Sequence, residues 1–498
     1  MSSGTNRRWA VDFVRRLTRS VCDAPGVAAG GRGDESSLSS LPRRGWLPGF
    51  VVGCLLAAVP AFAQPVDYWA PWVTKLATTS ATVNWAGAPT AAGVVEYATT
   101  AYYDQHSQTF DKAAGSVTPG IYQHVSLPGL EPNTSYTYQV RPSDKPDAFD
   151  KPRTFRTMPV SGPFTFIVIS DSHAQEQRYQ YVAQAIANEK DVLFILDGGD
   201  YASWDAQVDW NSYFTYSDAM LAKFPIFHTI GNHEYHNRAD HSGPPTNAEL
   251  YHGVFDVLPG APLNYAFDCS GIRFVVLDSP DPDPKLANGD DPQTSLAWTE
   301  SQVPWLKAQL DNKMAGTFTI HHHPIWDYGK VGSEANLRPW EALYQTYGIS
   351  ANLAGHVHNY QRYSIQGIPY FVLGNGGGVF NDMKAGDPTA PGYQKGKTRE
   401  LGYLKVTIDP ANNTATAEQI LVARFAADSD VTPSVVYVPP VHWDPVTFPL
   451  SIKSLQSAPV PTLSEWGLLL VGMGLGIAGF VSMRARRPAD RADAAADE

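Results

Sequence analysis

Residues 225–234 read Pro-Ile-Phe-His-Thr-Ile-Gly-Asn-His-Glu. A short apolar run of strand length ends directly on side chains that bind metals or move protons. The arrangement recurs four times. Phe164–Ser170 leads into Asp171-Ser172-His173, and Val192–Leu196 into Gly199-Asp200. Thr317–Ile320 leads into His321-His322-His323-Pro324, and Ser350–Ala354 into Gly355-His356-Val357-His358. Segments of helical pattern lie between the runs, for example 177–189 and 299–311. Strands alternating with helices predict an α/β body over residues 163–425. In open α/β sheets, ligands collect beyond the carboxyl ends of the strands. Five such ends would bring two Asp, an Asn and several His into one crevice.

Neutral imidazoles mixed with carboxylates suit Fe, Mn or Zn better than Ca or Mg, which prefer shells of oxygen. The candidates outnumber what one ion takes, so a pair of divalent or mixed-valence ions is the natural inference. Two such ions clamp the attacking and leaving oxygens of an in-line displacement and acidify a bridging water, which points to phosphoryl chemistry. Their charge outweighs two ligating carboxylates and favours an anionic, small phosphorylated substrate.

The 498 residues include 37 basic and 49 acidic side chains, for a net charge of −12. The basic footprint of a nucleic-acid binder is missing. Three cysteines, Cys22, Cys54 and Cys269, exclude a disulfide scaffold and a cysteine zinc cluster. With 43% hydrophobic residues, the chain has material for more than one core.

Residues 65–158 read as an all-β sandwich. Ala81-Thr82-Val83-Asn84-Trp85 and Tyr136-Thr137-Tyr138-Gln139-Val140 alternate between apolar and polar, with Gly, Pro, Asn and Asp between such runs. Residues 426–459 are Pro-rich and weakly patterned, and read as a closing segment or tether. The two ends read as addresses. Arg43 and Arg44 precede the apolar run 47–63, which ends in Ala61-Phe62-Ala63, so residues 1–63 read as leader and signal peptide. Trp466 to Met483 is apolar or small and is followed by Arg484, Arg486 and Arg487, which predicts a membrane helix with the body outside. The protein is expected to be exported, to the cell envelope or beyond.

Several local resemblances sharpen this. The string Val460-Pro461-Thr462-Leu463-Ser464-Glu465-Trp466-Gly467 closely resembles the IPTL-type sorting signal of bacterial exported proteins, which places sorting machinery and a membrane anchor at residues 460–487. TSATVNW, GLEPNTSYTYQV and FRTMP resemble a fibronectin type III-like domain of the kind found before purple acid phosphatase catalytic domains. DSH, GGD, GNHE, HHHP and GHVH stand in the order and spacing of the calcineurin-like metallophosphoesterase family, and GHVHNYQRY is similar to its purple acid phosphatase branch. The resemblance implies a four-layer domain of two packed mixed sheets flanked by helices. It also implies that Asp171, His173 and His358 hold one metal, that Asp200 bridges, and that Asn232, His322 and His356 hold the other. His233 would then contact the phosphoryl oxygen or protonate the leaving group. Purple acid phosphatases carry a Tyr three residues after the bridging Asp. Here that position is Ser203, and Tyr201 is out of register, so no ferric phenolate is expected.

The neighbours carry smaller expectations. His321 should face the other side of its strand. His323 contacts phosphate or fills the rim. Glu234 orients the ligand loop. Asn359, Gln361 and Arg362 pack behind the site. Gly374-Asn375-Gly376-Gly377-Gly378 lacks the lysine and spacing of a P-loop and reads as a flexible turn. Residues 281–293 and 381–399 read as loops. Phosphomonoester hydrolysis is the expected activity, with a phosphodiesterase or nucleotide hydrolase as the alternative enzyme. A non-catalytic metal-binding surface or adhesion protein is the alternative of another class.

Overall fold

The computed structural model describes residues 68–451, apart from 88–91, 116–119, 150, 175–176, 236–247, 259–260, 280–295, 312–313, 328–334, 384–390 and 429. The leader, the apolar run at 466–483, the sorting string, His236, His241 and the loop at 281–293 lie outside the described residues. Among the described residues no helix is long and apolar enough to cross a membrane.

Seven strands come first, in two antiparallel sheets. One sheet has the order β1 (Trp69–Thr74), β2 (Ser80–Ala86), β5 (Tyr122–Pro128), and the other β4 (Lys112–Gly115), β3 (Gly93–Thr99), β6 (Ser135–Pro142), β7 (Arg153–Arg156). Val83 and Trp85 of the first sheet share one apolar cluster with Val95, Tyr136, Tyr138 and Val140 of the second. Trp69 and Trp72 then reach past this sandwich to Phe214 on the helix Gln207–Leu221, with ring centroids 4.3 and 4.5 Å away. The Trp69 indole N–H donates to Asn211 Oδ1 at 2.7 Å.

Behind it stand two larger sheets. The six-stranded one runs β10 (Ile226–His228), β9 (Val192–Asp197), β8 (Phe164–Ile169), β18 (Glu400–Asp409), β19 (Thr414–Arg424), β20 (Val435–Pro449). The seven-stranded one runs β11 (Tyr265–Cys269), β12 (Ile272–Val276), β13 (Gly316–Ile320), β14 (Ala351–Ala354), β16 (Ile368–Leu373), β15 (Tyr360–Ile365), β17 (Tyr393–Lys397). β8, β9 and β10 are parallel, as are β12, β13, β14 and β16.

The alternation within β8 shows why the layers form. Phe164, Phe166 and Val168 join the cluster between the sheets, where the Phe166 ring stands edge-on to Phe274 at 5.1 Å and to Phe318 at 5.6 Å. Ile167 and Ile169 point the other way, into a second cluster. There the helix Tyr179–Ala187 buries Tyr179, Val182, Ala183 and Ile186, the one-face spacing of an amphipathic helix. Val275 of β12 and Trp340 of the helix Arg338–Tyr347 belong to a third cluster, beyond the other sheet. Each fully buried Phe, Ile or Val contributes about 1.5–3 kcal/mol against exposure. The result is four layers: helix, sheet, sheet, helix.

Two segments differ from the sequence reading. Residues 381–399, read as a loop, contain β17, which pairs with β15. Its composition, Tyr-Gln-Lys-Gly-Lys, has no apolar alternation, as suits an edge strand with no buried residue. Residues 426–459, read as a closing segment or tether after a body ending at 425, contain β20, the outer strand of the six-stranded sheet. Its four prolines hid it. An edge strand accepts proline because one row of its N–H groups has no ladder partner to lose. Asp444 on β20 takes both the Arg362 guanidinium, at 2.7 and 2.8 Å, and the Tyr360 hydroxyl, at 2.9 Å. Arg362 therefore ties β15 to the other sheet, behind the ligand loops.

Candidate metal centre

The five segments with candidate ligands follow β8, β9, β10, β13 and β14. These strands run parallel within their sheets, so the loops leave from carboxyl ends and meet. The donor atoms of Asp171, His173, Asp200 and His358 lie within 4.8 Å of one another. Those of Asp200, His322 and His356 do the same, so Asp200 belongs to both groups. Asn232 completes the second group: its Oδ1 is 3.0 Å from His322 Nε2 and 3.1 Å from His356 Nδ1.

Both carboxylates are held in the same way. Asp200 Oδ1 accepts the His233 backbone N–H at 2.9 Å, which leaves Oδ2 facing His322 Nε2 at 3.0 Å and His173 Nε2 at 3.5 Å. Asp171 Oδ2 accepts the His356 backbone N–H at 2.8 Å, which leaves Oδ1 3.3 Å from His358 Nε2. One oxygen is fixed by the neighbouring ligand loop and the other is presented to imidazoles. The far ring nitrogens are also fixed. His322 Nδ1 meets the Gly198 carbonyl at 2.8 Å and His358 Nδ1 the Val379 carbonyl at 2.5 Å, so each Nδ1–H donates outward and Nε2 faces the cluster.

The backbone is bent to achieve this. Asp171, His173, Asp200 and His356 all have positive φ, at 57°, 39°, 56° and 69°. Such conformations cost about 1–3 kcal/mol each outside glycine and persist where the surroundings enforce them. Gly355 is required because a Cβ there would fall on Ser170 Oγ and the Asp171 carboxylate. Glu234 supplies much of the enforcement. Fully buried, it accepts the backbone N–H groups of Gly231 at 2.8 Å and of Asp200 and Tyr201 at 2.9 Å, clamping two ligand loops together.

Electrostatics without a cation match a site built for one. Burial alone would raise the Asp171 carboxyl, but His322 and His358 outweigh it and hold it at about 2. Asp200 is likewise held well below the usual range, with His322 and His233 overcoming burial. Burial would lower His322, yet Asp200 and Asp171 raise it to about 10. The buried Asp171 Oδ1 has no close donor, with His358 Nε2 at 3.3 Å facing it. Clustered imidazole nitrogens and buried carboxylate oxygens turned toward them form a donor set that Fe, Mn or Zn ions fit.

The remaining histidines separate clearly. His233 stands at the rim with its side chain 19% exposed, its Nε2 4.0 Å from Asp200 Oδ2 and its Nδ1 2.5 Å from the Ser203 carbonyl. His323 is buried, with Nδ1 3.1 Å from Ser279 Oγ and its ring 4.3 Å from that of His356. His321 faces away from the cluster, between the His323 carbonyl and Asn352. The flexible turn read at 374–378 is instead a buried brace. Gly376 N–H donates to the Ser170 carbonyl at 3.1 Å and Gly378 N–H to the Asp171 carbonyl at 3.0 Å, an approach too close for any side chain. Sequence reasoning also passed over Trp204, whose ring lies 4.5 Å from that of His233. An unalternated Trp in a loop gave no signal beyond its place four residues after Asp200.

The described body is thus two packed mixed sheets with a paired His/Asp crevice at the strand ends. Residues 164–360 match the calcineurin-like phosphoesterase family, residues 64–157 the purple acid phosphatase N-terminal domain, and residues 458–487 the IPTL-CTERM motif. The two larger matches adjoin along the chain, the purple acid phosphatase N-terminal match first and the calcineurin-like phosphoesterase match after it. It is 26% identical over 305 residues to purple acid phosphatase 15 of Arabidopsis thaliana, covering 52% of this chain and 54% of that one. The chain therefore spans about half the length of that relative. A purple acid phosphatase from yellow lupin seeds superposes with a TM-score of 0.55 at 16% identity, over 80% of this chain and 78% of the other. PhoD superposes with a TM-score of 0.58 at 15% identity, over 79% and 92%. These two structures establish the likeness of fold.

Glu234→Gln keeps the size of the clamp but turns one acceptor into a donor facing backbone N–H groups. It is expected to weaken metal binding by about 10–100-fold while the chain still folds. Metal titration beside circular dichroism checks this, and wild-type affinity would contradict it. Since His322 titrates at about 10 in the metal-free chain, it is protonated at neutral pH and must lose that proton to ligate. Metal uptake should release protons, and apparent affinity should rise by about tenfold per pH unit per proton displaced between about pH 6 and pH 9. Titration in weak buffer reads the release directly; pH-independent uptake would contradict it.

Proposed function

We propose that this chain is a metal-dependent phosphoric ester hydrolase acting on phosphomonoesters. The observation that carries the reading is the sharing of Asp200 between two groups of donors. In this reading Asp171, His173 and His358 hold one ion, Asp200 bridges, and Asn232, His322 and His356 hold the other. The ions are of Fe, Mn or Zn type. When bound, they supply the Lewis-acid charge and the acidified water that displacement at phosphorus requires.

The chain's own groups do the rest. Asp200, fixed through Oδ1, keeps the two donor groups at one spacing. His233 acts at the mouth. Its Nδ1–H donates to the Ser203 carbonyl, so Nε2 is the atom that takes up and delivers a proton, on the side facing Asp200. In this reading His323, whose ring lies 4.3 Å from that of His356, contacts a phosphoryl oxygen. The N-terminal sandwich is assigned as fibronectin type III-like, and the address-like ends support export and sorting at the envelope.

The test is hydrolysis of a chromogenic phosphomonoester and a diester with Mn, Zn or Fe added. Wild type should favour the monoester, and Asp200→Asn should lose about 10²–10³-fold in turnover, the scale of removing one key electrostatic contact. Faster diester turnover would overturn the substrate assignment. Silence with two ions bound would favour a non-catalytic metal-binding surface protein. A second expectation concerns colour. The Tyr201 hydroxyl accepts the Thr229 N–H at 3.2 Å, its ring lies 5.6 Å from Trp210, and burial pushes its pKa well above the ordinary value. With a neutral phenol there and Ser203 at the neighbouring turn, the iron-loaded protein should show no strong visible charge-transfer band. A strong band would contradict the argument.

A further inference from the structure

The segment Ser203-Trp204 does two things at the mouth of the site. The Ser203 carbonyl fixes the far nitrogen of His233, and the half-buried Trp204 indole lies against the His233 ring at 4.5 Å, inclined by 42°. His173 also packs against that ring, edge-on at 4.5 Å. His233 Nε2 points inward, 4.0 Å from the shared carboxylate. On the hydrolase reading above, a leaving oxygen protonated by Nε2 sits between that atom and the cluster. The organic part of an ester bonded to that oxygen then comes near the indole packed on the same ring.

We propose that Trp204 is a specificity-determining residue that selects phosphomonoesters whose leaving group is a flat aromatic ring, an aryl or nucleoside-type ester, over small alkyl esters. An indole beside the scissile bond offers a broad apolar face with a negative quadrupole, which stacks on planar rings and gains little from a short alkyl chain. Glutamine, serine or glycine at this position would leave the path wet and indifferent to the leaving group.

The test is a binding measurement that needs no turnover. Phenylphosphonate and methylphosphonate, which cannot be hydrolysed, are titrated calorimetrically into the metal-loaded full chain of wild type, Trp204→Phe and Trp204→Leu. Wild type should bind the phenyl compound about tenfold more tightly, within the range that one aromatic stack contributes. Trp204→Phe should keep most of that preference, and Trp204→Leu should lose it. A merely structural indole would change both affinities together and leave their ratio as in wild type, which would overturn the proposal. Equal affinity in wild type would overturn it as well. A crystal structure of the wild-type complex stands independent of any folding defect in the variants: the phenyl ring should lie against Trp204 with centroids about 4.5–7 Å apart, and a ring lodged elsewhere would refute the idea. Aryl-to-alkyl ratios of kcat/KM should follow the same pattern. If the phosphonate preference holds but no ester is turned over, the aromatic wall stands and the hydrolase reading fails. If esters are hydrolysed with the same aryl preference in Trp204→Leu, the reverse is true.

Discussion

The buried carboxylate of Asp200 governs the rest of this molecule. It is 1% exposed, and its free oxygen faces three imidazoles within 4.0 Å. A charge so placed is costly unless it is paired or coordinates metal. His322 Nε2 and the His233 backbone N–H pair with it, and the loops that carry it are shaped by left-handed backbone at four candidate ligands, by glycines where loops touch, and by Glu234, which binds three backbone N–H groups across two loops. Together they set donor atoms at fixed separations before any ion arrives, which is what preorganisation requires.

The sheets exist in their present form to make that convergence possible. Loops from parallel strands leave a sheet at one end, and two such sheets packed through Phe166, Phe274 and Phe318 bring their ends to one rim. Behind the rim, the Gly-rich segment after β16 braces the Asp171 loop through Ser170 and Asp171 carbonyls. Arg178 extends the brace. Sandwiched between Phe380 and Phe425, its guanidinium donates to the Gly378 carbonyl at 3.0 Å and to the carbonyls of Asp428 and Asp430. Arg178 thus links the Gly378 carbonyl to Asp428 and Asp430, which precede the C-terminal strand.

The legible parts of the sequence were those with strong local chemistry. Val192–Asp197 and Phe164–Ile169 are buried on both faces, so they read as continuous apolar runs, and the ligands stand immediately after them. The periodic helix at 179–187 was equally plain. What escaped has a common cause: its meaning lies in contacts between distant segments. β20 is paired over its length yet reads as Pro-rich linker, because an edge strand need not alternate. Gly374–Gly378 looks like a turn until the carbonyls packed on it are seen. Trp204 acquires significance only once His233 is beside it.

The most direct measurement is anomalous diffraction from crystals grown with manganese or zinc. The account predicts two peaks on either side of the Asp200 carboxylate, one bounded by Asp171, His173 and His358 and the other by Asn232, His322 and His356. A single peak, or peaks remote from Asp200, would contradict it.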